Sequence, residues 1–421
     1  MEVKISKIAN ELYRRISPVR EIMSFTDKKK LKEFDIKENN LISFGGGWVN
    51  QKSPKKLQES YLKIINDDDK FHFSGGYSPT NGELFYKEAL VKYEKEIFNM
   101  RNIGVENIVI GQSSSHLTYL LLRVLLNTDD KILLLDPSYC NYPMQVYTST
   151  SSKIIRFPVI DIENYSYTAN NPQTISSLKE FLLKNKPKIV MLISPDNPSG
   201  QVLSDDFVSE CCETVKTYGG TVVMDFAYKE ITFVKNPKYF SWGPDANFIT
   251  IHSNSKWCRG LGRRLGWIEA PKYIIDAFES LQNSTILSPD RLHQIALANY
   301  IEESIKDGSL RKYIEDTRKL YSETAKVTIN AIKKYIKLPY LVPQGGLYTC
   351  IKVNENSAKF VERVLRNTGV LLIPGWGFGS SLNKSVRLSY GPLVYDHDLI
   401  IMGLNKVGKY LRNEDINNKK N

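Results

Sequence analysis

Short apolar runs, rich in β-branched residues and leucine, recur along the first two thirds of the chain with helical stretches between them. Seven stand out: Asn107 to Gly111, Lys131 to Asp136, Lys153 to Val159, Lys188 to Pro195, Thr221 to Phe226, Phe248 to Ser253 and Arg264 to Pro271. The intervening segments SHLTYLLLRVLL and DDFVSECCETVKTYG carry apolar residues at helical spacing, and the second opens on Ser204 and Asp205, which can cap it. Strands alternating with helices predict an α/β domain built on a mostly parallel sheet. The seventh run follows the sixth with no room for a helix, so it is expected to enter the sheet antiparallel.

From about Pro289 the pattern changes. Longer amphipathic helices (LHQIALANYIEESI, then LRKYIEDTRKLYSETAKVTINAIKKYI) precede strand-like runs around Gly346 to Val353 and Ser385 to Tyr390, which predicts a smaller α+β domain. The expected division is therefore an N-terminal arm and part of the small domain over residues 1–50, a large domain over 51–288 and a small domain over 289–421, with the polar tail NEDINNKKN disordered. A length of 421 residues agrees with two domains, because single cores stop growing well below this size.

Composition narrows the function classes. The apolar fraction is 42%, and no apolar run reaches the roughly 20 residues that cross a bilayer. The start MEVKISKIANELYRR lacks the apolar stretch of a signal peptide, so a cytoplasmic protein with no membrane partner is expected. Five cysteines, with no CxxC pair, suggest buried reduced thiols rather than a disulfide framework or a metal site. The net charge of +11 is spread over short lysine clusters (Lys28 to Lys30, Lys55 and Lys56, Lys419 and Lys420), which reads as a solvated surface and not a nucleic-acid face.

In open parallel sheets ligands bind beyond the carboxyl ends of the strands, and the residues there form a coherent set. Gln112-Ser113-Ser114-Ser115-His116 opens a helix after the first run, and reads either as a plain cap or as an anion site. Asp196-Asn197-Pro198-Ser199-Gly200 follows the fourth run. Asp225 ends the fifth, where an acid is costly unless it meets a cation or keeps its proton, and Tyr228 comes just after. Ser253-Asn254-Ser255-Lys256 closes the sixth. A lysine among small residues at a strand end can reach a cofactor, and one with a lowered pKa can form a Schiff base.

The motifs DNPSG, DFAY, SNSK followed by GRRLGW, and VRLSYG, in this order between Ile42 and Gly391, resemble the class I/II aminotransferases. These form the aspartate aminotransferase-like branch of the fold type I pyridoxal phosphate enzymes. The resemblance implies that fold, a seven-stranded mostly parallel sheet plus a smaller α+β domain, and pyridoxal 5′-phosphate as cofactor. It implies that Lys256 holds the cofactor as a Schiff base and moves the substrate's α-proton, and that Asp225 pairs with the pyridine nitrogen. Asn197 and Tyr228 are implied to hydrogen-bond the ring oxygen, and Tyr139 to stack on the ring. Ser113, Ser114, Ser253 and Arg264 are implied to hold the phosphate, with Arg264 rather than Arg263 set by its place two before Gly266. Tyr77, in GGYSPTNG, matches a tyrosine that reaches the neighbouring subunit's phosphate, which implies a homodimer with shared sites. Arg387, with Asn197 and the backbone at Gly47, is implied to bind the substrate carboxylate.

The activity implied is transfer of an amino group from an amino acid to a 2-oxo acid in a two-step exchange. An oxidase, cyclase or lyase of the same fold, acting on an amino acid with a functionalised side chain such as a guanidino group, would use the same residues. A cofactor-sensing DNA-binding regulator would need an added helix-turn-helix domain, for which no length is spare before Ile42. Three departures bear on the substrate. Trp48-Val49-Asn50 stands where the family commonly has an acidic or proline-containing stretch, His116 takes a position usually held by a small residue, and no second arginine is placed to read a side-chain carboxylate.

Overall fold

The computed structural model describes residues 3–14, 28–34, 36–37 and 40–418. All seven expected strands form one sheet. Its order is Ile108–Gly111, Gly266–Glu269, Phe248–Ser253, Thr221–Asp225, Ile189–Ile193, Lys131–Asp136 and Lys153–Pro158. Gly266–Glu269 runs antiparallel to both its neighbours, as the missing connecting helix required, and the other pairings are parallel.

Alternate residues of each central strand serve two cores. Ile189, Met191, Ile193, Val223, Ile249 and Ile251 face one apolar cluster, while Val190, Leu192, Val222, Met224 and Phe248 face the other. Both faces of the sheet are thus covered, which is why these strands read as continuous apolar runs. Each fully buried aliphatic side chain contributes roughly 1.5–3 kcal/mol, so the sheet is a stiff platform for what leaves its edge. Register brings those exits together: Ile193 pairs with Asp225, and Asp225 with Ile251.

The C-terminal part carries a three-stranded antiparallel sheet of Tyr348–Lys352, Ser385–Ser389 and Ile373–Pro374. Ile42–Ser43 pairs in parallel with Val370–Leu371, which joins the N-terminal segment to this part of the molecule. Helix Arg291–Lys306, expected to open the small domain, instead buries Ala296, Leu297, Tyr300 and Ile301 in the same core as Val190 and Val222. The next helix, Ser309–Ala331, bridges the two cores, with Leu310 and Ile314 in one and Tyr321, Ala325 and Ile329 in the other. An amphipathic stripe in sequence tells that a helix is half-buried but not which core receives it.

The tail expected to lack order is helical as far as Asn418, in the helix His397–Asn418. Its first turns bury Ile400, Leu404 and Val407, and a helix nucleated by packing extends at little further cost. Residues 419–421 of that tail lie outside the described residues.

Asp136 ties the sheet to the C-terminal segment. Its Oδ2 accepts from the N–H and hydroxyl of Ser380, at 3.0 and 2.7 Å, and its Oδ1 from those of Ser381, at 3.1 and 2.6 Å. Gly379 has φ of +154°, and a β-carbon there would collide with the same carboxylate. Replacing Asp136 with alanine is expected to destabilise the protein by about 2–4 kcal/mol through the loss of charge-assisted hydrogen bonds, visible as a lower midpoint in urea unfolding.

Candidate active site

A cavity of about 370 Å³ lies beyond the carboxyl ends of the central strands. Its wall includes Gly47, Ser114, Tyr139, Asn197, Asp225, Tyr228, Ser253, Lys256, Arg264 and Arg387, all of them predicted from the sequence.

Lys256 sits in a single helical turn, Asn254–Trp257, that follows its strand directly. The Ser253 hydroxyl caps this turn by accepting from the N–H of Ser255, at 3.2 Å. Asn254 anchors it from below, donating to the Tyr86 hydroxyl at 2.9 Å and accepting from the Trp257 indole N–H at 3.1 Å. Gln51 holds it from the other side, with its amide nitrogen donating to the Lys256 carbonyl at 2.7 Å. With its backbone fixed at three points, Lys256 extends its amine into the cavity. There Nζ donates to the Gly47 carbonyl at 2.6 Å and stands 5.5 Å from the centre of the Tyr228 ring. Burial, reinforced by the positive charges of Arg387 and Arg264, lowers the amine to about 8, against a smaller upward pull from Asp225.

Asp225, 4% exposed, accepts from the Tyr142 hydroxyl and the Ala227 N–H, both at 2.8 Å. Burial raises its carboxyl above the usual range, and those hydrogen bonds together with the charges of His252 and Lys256 work in the opposite direction. Arg387, 2% exposed, donates to Asn197 Oδ1 at 3.0 Å and to the Gly45 carbonyl at 2.9 Å. Its guanidinium lies between the rings of Tyr348 and Phe378, at 4.5 and 5.0 Å, and its Nε has no hydrogen-bond partner among the described residues. Asn197 is presented by a turn that Asp196 closes on the N–H of Ser199, at 3.0 Å.

One end of the cavity is built for an anion. The helix Ser113–Leu125 points its N-terminus there, where free N–H groups and the helix dipole favour negative charge. Gly266 makes this approach possible, since a β-carbon on it would press on the His252 carbonyl and the Ser114 nitrogen. Ser113 takes φ of +70° and turns into the protein, 3% exposed, so that Ser114 and Ser115 form the wall instead of Ser113 and Ser114. Arg264 lines the same cavity, while its neighbour Arg263 lies over the Tyr61 ring.

Besides Ser113, one expected residue, Tyr77, and two of the departures from the family, Trp48 and His116, lie outside the wall. Tyr77 is 79% exposed and does not reach the cavity of its own chain. Trp48 is also outside the wall, folded over Gly46, and His116 is set back in its helix with both ring nitrogens unpartnered among the described residues. Burial lowers the His116 imidazole below its usual range. Conversely, Tyr142, Tyr348, Gln51, Cys140 and Asn141 line the cavity or support its wall, and the sequence assigns none of them a role. Ser115, inside a serine run already noted, carried the clearest signal among the missed residues.

Behind the strand ends lies a buried ionic network. Lys229 bonds Glu94 at 2.6 Å with neither side chain exposed, and His252 stands 3.2 Å from Glu269 and 3.7 Å from Glu94. The Trp267 ring stacks on His252 at 4.6 Å. Burial opposes the charge of Glu269, yet His252 and Lys229 overcome it and hold the carboxyl low.

The family model described as aminotransferase class I and II matches residues 43–399. The chain is similar to an aspartate aminotransferase of Pyrococcus horikoshii, 26% identical over 92% of this chain and 94% of that protein. It is likewise similar to the transaminase BacF of Bacillus subtilis, 24% identical over 86% of this chain and 87% of that protein. Among solved structures, aspartate aminotransferase from Thermus thermophilus with maleate superposes with a TM-score of 0.82 at 17% identity, covering 97% of this chain and all of that one.

The lowered pKa of Lys256 has a direct consequence. Below pH about 8 its amine is mostly protonated and above it mostly free, well under the ordinary lysine value of 10.5. Reductive methylation of protein freed of bound carbonyl compounds, followed by peptide mass spectrometry, is expected to label Lys256 with a half-maximal rate near pH 8.

Proposed function

We propose that in this chain, which belongs to the class I and II aminotransferase family, the cavity around Lys256 is where cofactor and substrate meet. The protein is a pyridoxal 5′-phosphate-dependent aminotransferase, and its substrates are an amino acid and a 2-oxo acid. The observation that carries the assignment of the site is the amine of Lys256, desolvated to about 8 and set in one cavity with a buried carboxylate at Asp225.

The residues present fit the cofactor by donor chemistry. A helix N-terminus with Ser114, Ser253 and Arg264 suits a phosphate dianion, and Ser113, buried at that helix start, contributes by its backbone turn. Asp225 has hydrogen bonds but no cation within bonding distance among the described residues, which suits a protonated ring nitrogen. Tyr228 and Asn197 would take the ring oxygen, and Tyr139 a ring face. When bound, the cofactor supplies the carbonyl that takes up an amine and the ring that draws electrons from the substrate's α-carbon.

Arg387 would receive the α-carboxylate. It is already held in plane by Asn197, Gly45 and two aromatic rings, so little side-chain freedom remains to be lost. The Gly47 backbone flanks the same space, and its carbonyl gives the Lys256 amine a resting partner. Lys256, freed by the incoming amine, would carry the proton at the substrate's α-carbon as a general base and acid.

Two further readings belong to this proposal. We place the chain in a homodimer with shared sites, supported by Tyr77 at 79% exposure beside the exposed Phe71 and Phe73. The division into a large sheet domain and a smaller C-terminal one is also part of it, with the passage between them inside Ser309–Ala331. A cytoplasmic location is supported by five free cysteines, a usage that fits a reducing compartment.

With a panel of amino acids, stoichiometric 2-oxo acid is expected, and adding a 2-oxo acid should restore the starting absorbance; release of ammonia or peroxide would speak for elimination or oxidation. Lys256→Ala is expected to leave no cofactor attached after borohydride reduction, and attachment that persists would overturn the site. Arg387→Lys should lower kcat/KM by about 10- to 100-fold, since a point charge cannot reproduce a bidentate fork. Sedimentation should give twice the chain mass, and Tyr77→Ala should weaken phosphate retention without unfolding the protein.

A further inference from the structure

The segment Gly345-Gly346-Leu347-Tyr348 fits the family pattern without giving Tyr348 a role, yet Tyr348 forms part of the cavity wall. It begins the strand Tyr348–Lys352, is fully buried, and lines the cavity. Its hydroxyl lies 2.7 Å from that of Tyr228, with the two rings edge to face at 5.7 Å. The space it fills exists because residue 47 is glycine, where a β-carbon would stand 3.1 Å from the Tyr348 oxygen.

A phenol has one proton to give, so in a hydroxyl pair one member donates and the other accepts. The neighbouring charge decides which. The Arg387 guanidinium stands 4.5 Å over the Tyr348 ring, and a cation there draws electron density from the phenol and makes it the better donor. Burial pushes both phenols upward, so both keep their protons at working pH. With Tyr348 donating, Tyr228 accepts and its own proton is left to point into the cavity.

We propose that Tyr348 is a positioning residue: its hydroxyl, biased by Arg387, orients and strengthens Tyr228 as the hydrogen-bond donor to the cofactor's ring oxygen. This rests on the reading above that Tyr228 serves that oxygen. A donor to the oxygen takes up its negative charge, so the nitrogen linking Lys256 to the cofactor holds its proton less tightly. A hydrogen bond that feeds another strengthens it by roughly 10–30%, which corresponds to a shift of about 0.1–0.6 pH unit in that nitrogen's midpoint.

The experiment is a spectrophotometric pH titration of the holoenzyme's visible band in the parent, Tyr348→Phe, Tyr228→Phe and the double variant. Tyr348→Phe keeps the ring beneath Arg387 and removes only the hydroxyl. It should raise the midpoint by about 0.1–0.6 unit. Tyr228→Phe should raise it further, and the double variant should match Tyr228→Phe, because Tyr348 acts only through Tyr228. An unchanged midpoint in Tyr348→Phe, or additive shifts in the double variant, would overturn the inference while leaving the site assignment intact. An unchanged midpoint in Tyr228→Phe would overturn both. Cofactor retained through dialysis by Tyr348→Phe separates these outcomes from a loss of fold.

Discussion

Asp225, Lys256 and Arg387 carry charge-bearing groups in a region with little water, and the arrangement around them follows from the cost of keeping them there. The apolar strands supply the low-dielectric setting, and the hydrogen bonds from Tyr142, Ala227, Asn197 and Gly45 offset only part of the desolvation. What is left over is visible as an amine lowered to about 8, a carboxyl raised by burial, and a guanidinium with one nitrogen unpartnered among the described residues. Groups held in this way are preorganised for ligands of opposite charge, and they need no reorganisation when those ligands arrive.

The network behind the sheet edge serves the same end. Glu94, Lys229, His252 and Glu269 bring ionisable groups together beneath residues that line the cavity, with His252 next in sequence to Ser253 and Lys229 next to Tyr228. Buried pairs of this kind contribute little net stability, because desolvation consumes most of their attraction. Glu94 Oε1 and His252 Nδ1 have no hydrogen-bond partner among the described residues, so the network is only partly satisfied, and the close Lys229–Glu94 and His252–Glu269 pairs are what tie its segments together.

The chemistry at strand ends was legible because it is local. Lys256, Asp225, Asn197 and Ser253 each lie within a few residues of an apolar run, and the sheet's polarity sends all such ends to one edge. The antiparallel strand was legible for a similar reason, the absence of a connecting segment. Contacts between distant stretches left no comparable trace. Tyr142 meets Asp225 across 83 positions, Gln51 meets Lys256 across 205, and Tyr348 meets Tyr228 across 120. The core chosen by Arg291–Lys306 and the helical continuation to Asn418 were hidden for the same cause, since both depend on partners that periodicity does not name.

The Asp136 clamp has a mechanical meaning. It grips Ser380 and Ser381, while Phe378, whose carbonyl also accepts from the N–H of Ser138 at 2.9 Å, presents its ring to Arg387. The turn that fastens the C-terminal segment to the sheet is therefore the turn that backs the Arg387 guanidinium. A disturbance of the Asp136 clamp would therefore be felt at the Phe378 ring, and through it at the Arg387 guanidinium, although Asp136 itself touches neither.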